Sequence, residues 1–486
     1  MQSGTRQPLT EEVNPALCAA LGRPATVLDV GCRAGVNGMA ARERGARVTG
    51  IEHDPKLADR AGLLLDEVIR ADPADLEAMR GALAGRHFDV VTLAAVLERA
   101  ADPEALVRFY AEHVAPEGRL ILSLRNPDAW PLRFKLEGPD IGYEQPARPG
   151  ERMYTRAQAV AFARAAGLQV LQVDNNPMLL KAVRRVLDED VYLSLKHGES
   201  TGTGFREFGI YQAYLKSVRP FEAKLAELSP RLLTYQTVVI ARRRPAPRAL
   251  SLTVGMLTMD EEPSIAKMIE EIRRHAPDAK ILCVDSSVKD RTPLIAESLG
   301  ARVLRQLPPR GHGPAMELLM YEAAKQGDAL IYLDCDFTYP PELIPEIRRI
   351  LESGADVVNA ARTRRRPAAM PLANYAANKA FVWCARALDG VPISDLHSGM
   401  RGYRSSVVRA FDFDGTGDAI PIDTLLWPAR CGYRVVEIPI EYQERVGVSK
   451  LRKVAGTVWT FIRLGKTLRV GRRRADTYEI WSDTEG

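Results

Sequence analysis

The sequence predicts an α/β protein of two tandem, unlike domains, and three observations carry that reading. Its 486 residues exceed what one continuous core ordinarily holds, since domains run at roughly 100–200 residues. Two stretches, opening at ATVLDVG near residue 25 and at LSLTVGML near residue 250, each start on an apolar β-type run. Both continue as short apolar runs alternating with helical patterns, as parallel α/β units do. Between them RRRPAPR, Arg242 to Arg248, is basic and broken by proline directly after the strand-like TYQTVVIAR, which sets a boundary there. The expected domains are 1–244 and 245–474, with a tail at 475–486.

In the first domain, strands are predicted over Thr26–Val30, Arg47–Glu52, Phe88–Leu93, Arg119–Leu124, Leu168–Val173 and Tyr235–Ala241. Residues 176–233 are rich in helix formers, are interrupted by GESTGTG and fall between the last two strands. They read as an insertion able to cover a substrate pocket. In the second domain, strands are predicted over Leu252–Leu257, Lys280–Val284, Arg302–Arg305, Ala329–Leu333, Asp356–Asn359 and Arg434–Pro439.

With 46% hydrophobic and 27% charged residues, composition excludes wholesale disorder and a collagen-like repeat. The excess of Lys+Arg over Asp+Glu, 67 − 62 = +5, is too small to imply a nucleic-acid partner. Six cysteines without a CxxC pair suggest neither a zinc ribbon nor a disulfide framework and fit a reducing cytoplasm. No run of about 20 apolar residues is present and MQSGTRQPLTEEVNPAL lacks an apolar core. A soluble or peripherally attached protein is expected, at most on the inner face of a membrane.

VLDVGCRAG, Val27 to Gly35, runs from an apolar strand through an acid into glycines that open a helix. Such a turn lets the backbone approach a ligand and aims helix N–H groups at it. Glu52 ends RVTGIE, where a carboxylate can accept two bonds from a ribose diol, Asp72 follows in IRADPADL, and FDVVTLAAVLE ends at Glu98. In this order the residues resemble the class I S-adenosylmethionine-dependent methyltransferases, which have a Rossmann-like sheet. The resemblance implies that Asp29, Gly31 and Gly35 shape the methionine side of an S-adenosylmethionine site, that Glu52 binds the ribose and that Asp72 faces the adenine. Arg33 stands where the family usually has Gly, and Leu97-Glu98-Arg99 where it has Leu-Glu-His. Arg99 cannot serve as a neutral base, and no base for methyl transfer is assigned.

ALIYLDCDFTYPPE, residues 329–342, is an apolar strand ending in Asp334-Cys335-Asp336. Two acids at alternate positions share one face and can reach a hard divalent cation, Mg²⁺ or Mn²⁺, which would neutralise a diphosphate. Upstream lie TVGMLTMDEE and ILCVDSSVKDRT, and downstream ISDLHSGMRGYR and AIPIDTLLWPARCGYRVVEIPIEYQERVGVSKL. The ordered set resembles family-2 glycosyltransferases of the GT-A fold, in the branch of dolichyl- and polyprenyl-phosphate sugar synthases. It implies that Leu257, Met259, Glu261 and Asp285 line a nucleotide-sugar pocket with Asp334 and Asp336, the latter two carrying the metal. Ser398, Arg401, Arg445 and Lys450 would meet the acceptor or its phosphate, which is a polyprenyl phosphate or a glycan. An anionic phosphate needs no base, whereas a sugar hydroxyl does, and Asp423 and Asp395 are then the candidate bases, Asp336 being the further catalytic candidate at the metal. Asp423 reads equally as a helix N-terminal carboxylate.

From Arg445 to Arg474 ten basic residues, Arg463 among them, alternate with apolar ones and no acid intervenes. This suits either an interfacial helix on anionic lipid or a helix packed on the domain. The expectation is a bifunctional enzyme of glycan or glycolipid synthesis. Two rivals stay open: a glycosyltransferase with a degenerate, docking methyltransferase-like domain, and a non-catalytic membrane-associated scaffold.

Overall fold

The structure, a computed structural model, describes residues 14–129, 152–177, 217, 221, 230–243, 245–362, 370, 372–389, 391–417, 419–441, 460–465 and 478–480. The chain divides into two compact units, Met1–Arg243 and Arg244–Gly486.

In the first unit seven strands form one sheet: β1 (Thr26–Val30), β2 (Arg47–Ile51), β3 (Glu67–Ile69), β4 (Phe88–Ala94), β5 (Val114–Arg125), β6 (Gln169–Pro177) and β7 (Thr234–Arg242). Their order is β3-β2-β1-β4-β5-β7-β6. β1 pairs in parallel with β2 and β4, and β7 runs antiparallel to both β5 and β6. Val27, Leu28 and Val30 are wholly buried, because a central parallel strand is covered on both faces and reads as a continuous apolar run. The sequence pattern misses β3, whose three half-buried residues offer no periodicity to detect. The chain reverses its winding between β1 and β4, so their C-terminal ends border the crevice where such sheets bind ligands. Helix α1 (Val36–Arg42) starts there, immediately after the glycine turn.

The second unit holds β8 (Leu252–Thr258), β9 (Lys280–Asp285), β10 (Arg302–Arg305), β11 (Ala329–Leu333), β12 (Val357–Ala361), β13 (Met400–Arg404), β14 (Val435–Pro439) and β15 (Tyr478–Ile480). The order is β10-β9-β8-β11-β13-β12-β14-β15. β8 to β11 are mutually parallel, so all four end on one edge. β13 is inserted antiparallel between β11 and β12. The sequence conceals it, because MRGYR carries two arginines and a glycine, yet all five residues are buried. Arg404 is accommodated there by donating to the carbonyls of Leu351 and Ala355, at 2.6 and 3.0 Å, which satisfies a buried cation with backbone acceptors. Among the helices, α2 (Glu262–His275), α3 (His312–Gln326), α4 (Leu372–Asp389) and α5 (Ile420–Arg430) border the site described below.

Candidate functional site

In the first unit the turn after β1 is built for close approach. Gly31 lies at φ +71°, and a Cβ there would overlap Val96, so only glycine leaves this cradle open. Gly35, also left-handed, caps α1. Asp29 is buried, and its Oδ1 accepts from Thr92 Oγ1 at 2.6 Å. Burial pushes its carboxyl up to about 6, against the hydrogen bonds from Thr92 and the Gly38 amide. Glu52 sits just past β2, with Oε2 accepting from the Arg33 amide at 3.0 Å and Oε1 from the Asp54 amide at 2.8 Å. Asp72 is exposed, and its Oδ1 caps the turn to Ala74 at 2.9 Å. Glycine cradle, strand-end carboxylate and exposed acid together fit S-adenosylmethionine. Arg33 occupies this turn at φ +52°, a conformation that costs a side-chain-bearing residue about 1–2 kcal/mol.

In the second unit the four parallel strands present a row of residues along their shared edge. The register places Arg305 beside Asp285 and Asp285 beside Thr258. Gln306, Ser286 and Met259, each following its strand directly, therefore lie side by side, and Asp334 follows β11 one strand further on. Leu257 and Glu261 flank Met259 in the chain, and Met259 is 41% exposed. Asp334 rests against Gly399, where a Cβ would overlap its carboxylate. The Gly399 amide donates to Tyr339 Oη at 2.5 Å, and the Asp334 amide to Gly399 O at 3.1 Å. Asp336 is buried and accepts from the Thr338 amide and hydroxyl at 3.1 and 2.5 Å. Among the described residues no group of three or more His, Cys, Asp or Glu could hold a metal. Two carboxylates alone fit a cation such as Mg²⁺, which keeps waters and takes its remaining ligands from a substrate diphosphate.

Several of the expected site residues are engaged by protein partners. Asp285 is wholly buried, and its oxygens are filled by Ser287 N and Arg305 Nη1 on Oδ1 and by Thr258 Oγ1 and Ser287 Oγ on Oδ2. It braces the pocket and leaves no acceptor for a nucleotide. Asp395 is gripped by Arg362 through Nε at 2.7 Å and Nη2 at 2.9 Å, and by Asn378 Nδ2 at 2.7 Å. Burial alone would raise its carboxyl, but Arg362 and Asn378 hold it well below the usual carboxylate range, which makes it a poor base. Asp423, on α5, is buried and ion-paired with Arg463. Arg401 is wholly buried and donates to Asn359 Oδ1 at 2.7 Å and to the carbonyls of Leu396 and Pro421. Its donors are directed at protein acceptors that brace the loop. Ser398 is likewise buried, donating to Ala360 O at 2.5 Å. Arg445 and Lys450 lie outside the described residues.

The sequence reading missed the partners of these acids. Arg362 follows β12 and His397 sits between the two motif residues Asp395 and Ser398. Burial pushes His397 down to about 4, and its Nε2 meets Thr460 Oγ1 at 3.1 Å. Nothing in the local pattern signals an ally 33 residues away, as Arg362 is from Asp395.

Comparison with known proteins follows the same division. Residues 1–173 match the family model described as a methyltransferase domain, and residues 253–411 match the one described as glycosyl transferase family 2. A dolichyl-phosphate hexose transferase of Haloferax volcanii is 38% identical over 207 residues, which is 42% of this chain and 88% of the relative. An undecaprenyl-phosphate mannosyltransferase of Micrococcus luteus is 28% identical, covering 40% of this chain and 84% of the relative. A ubiquinone biosynthesis O-methyltransferase of Nitrosospira multiformis is 32% identical, covering 33% of this chain and 72% of the relative.

Proposed function

The chain belongs to the family 2 glycosyltransferases and carries a methyltransferase domain ahead of that one, and from this premise we propose that it transfers a sugar from a nucleotide-sugar to a polyprenyl phosphate. The observation that carries the choice of acceptor is the state of the two candidate bases. Asp395 and Asp423 are each held by a guanidinium, an arrangement unsuited to deprotonating a sugar hydroxyl. A phosphate acceptor is already anionic and needs no base.

The phosphate oxygen attacks the anomeric carbon as the bond from that carbon to the diphosphate breaks, and the nucleoside diphosphate leaves with inversion. Mg²⁺ or Mn²⁺, when bound, neutralises charge on the leaving diphosphate. Asp334 and Asp336 are the residues that would hold it. Gly399 lets the Asp334 carboxylate lie close to the edge, and Thr338 orients Asp336. Thermal shift with a panel of nucleotide-sugars tests this reading: a metal-dependent rise in melting temperature is expected. No stabilisation by any of them, with or without Mn²⁺, overturns it.

The first unit is read as binding S-adenosylmethionine in the Gly31 turn and methylating a sugar or lipid of the same pathway. Calorimetry decides between this and a docking module, which predicts no heat at millimolar cofactor. Peripheral membrane attachment is also proposed; of the ten basic residues from Arg445 to Arg474, Arg463 is the one among the described residues, and it is buried, so exposed apolar side chains supply the described part of the contact. Trp383 is 70% exposed on α4, and Phe461 and Ile462 are also exposed, Phe461 meeting Phe381 of α4 edge-on. Among the described residues no helix is long and apolar enough to cross a membrane. Flotation with anionic vesicles, lost in Trp383→Glu, tests the attachment.

A further inference from the structure

We infer that Gln306 reads the donor's nucleobase at a single exocyclic position, selecting uracil (O4) and guanine (O6), which place an oxygen there, over cytosine (N4) and adenine (N6), which place an amine there. The inference rests on the reading of this edge as a nucleotide-sugar site.

Position is the first argument. Gln306 and Asp334 follow β10 and β11, which stand three places apart in the parallel row β10-β9-β8-β11. At about 4.8 Å between neighbouring strands the row is roughly 14 Å wide, close to the reach of a nucleoside diphosphate laid along the edge. With the diphosphate against Asp334 and Asp336, the base falls at the Gln306 end, past Met259 and Ser286.

Chemistry is the second argument. Asp285, the acid nearest that end, has both oxygens filled by protein donors. It cannot accept an N–H from the base. Gln306 is 7% exposed, and its Oε1 accepts from the Arg310 amide at 3.3 Å and from Ser286 Oγ at 3.4 Å. A backbone N–H can only donate, so the Arg310 contact fixes which end of the carboxamide is oxygen and points Nε2 the other way. Nε2 meets no acceptor among the described residues. An amide donor of a largely buried side chain that opens to solvent without a protein partner is a group that a ligand or water completes. An exocyclic oxygen accepts from it, whereas an exocyclic amine would set donor against donor and leave both unsatisfied, the kind of mismatch on which sites discriminate most strongly.

The test is calorimetry of the full chain with UDP, GDP, CDP and ADP in the presence of Mn²⁺. UDP or GDP should bind about tenfold more tightly than CDP and ADP, the worth of one buried hydrogen bond. Gln306→Met, nearly isosteric but without the donor, should weaken the preferred diphosphate about tenfold and leave CDP and ADP unchanged. Gln306→Glu, which offers acceptors in its place, should reverse the order between UDP and CDP. Melting curves without ligand check that both variants fold. Equal affinity for all four diphosphates, or a preference that survives in Gln306→Met, overturns the inference while leaving the nucleotide site intact. Failure of every diphosphate to bind the wild-type chain overturns the underlying site reading as well.

Discussion

Asp29, in β1 of the first unit, and Asp395, in the loop before β13 of the second, are both buried carboxylates, yet they titrate in opposite directions. Asp29 faces a threonine hydroxyl and a backbone amide, and burial wins, carrying it to about 6. Asp395 is opposed by a bidentate guanidinium and an amide, and the partners win. Burial therefore does not fix the charge of a site acid; the presence of a cation within hydrogen-bond reach does. The first unit keeps an acid able to change its charge near neutrality, beside the place where a sulfonium cofactor is read. The second holds Asp395 charged by its guanidinium partner and uses it as a brace.

The sharpest way to break this contrast is to disable one site and watch the other. Asp336→Asn should lower metal-dependent nucleotide release by at least about 100-fold, the scale of losing one charge-stabilising group, with heats of S-adenosylmethionine binding unchanged. A parallel loss of cofactor binding would mean the two sites are not independent. Arg362→Met should turn Asp395 into a second Asp29. It leaves a buried carboxylate without its cation and should destabilise the second unit by about 3–5 kcal/mol, read as a fall of one calorimetric transition. That transition is assigned by which ligand shifts it.

Effects of pH should separate the units in sign. For Asp29 the folded value, about 6, lies above the ordinary 3.8, so the native state binds the extra proton. The first unit should lose stability as pH rises from about 4 to 6, on the order of 3 kcal/mol, and Asp29→Asn should flatten that slope. His397 runs the other way, since its folded value of about 4 lies below the ordinary 6.5. The unfolded state takes the proton, and the second unit should weaken by a similar amount as pH falls from 6.5 to 4, a dependence absent in His397→Gln. Transitions that respond to pH in the same sense would refute the assignment. Arg33→Gly should give the smallest effect, raising the first unit's stability by about 1 kcal/mol as left-handed strain is relieved, measured by chemical denaturation.

What the sequence disclosed and what it hid follow from range. The Gly31 turn and the Asp334-Cys335-Asp336 step are local: an apolar strand, then glycines or acids within a few residues, and the physics that makes them useful is written in that spacing. The condition of the acids is not local. Asp285 is filled by Arg305, Asp395 by Arg362 and Asp423 by Arg463, which lie 20, 33 and 40 residues away. An acid in a motif looks the same whether it is poised or neutralised. Arg401 misled for a related reason: a cation in a loop motif suggests phosphate, but β13 runs through the middle of its sheet and takes the side chain inside. Gln306 was overlooked because a lone glutamine after a four-residue strand carries no pattern. Its meaning appears only once three neighbouring strand ends stand beside it.

The pairing of Arg463 with Asp423 also orders events in time. A chain emerging from the ribosome presents Asp423 well before Arg463, 40 residues later. Until that arginine arrives, α5 carries an acid that burial would penalise, and the carbonyls of Asp414 and Thr416 lack the donor that Arg463 supplies to them. The wall formed by α5 and the preceding loop lacks the bonds that tie it together until then. Closure of this wall is thus deferred to a late step of synthesis, when Arg463 docks on Asp423.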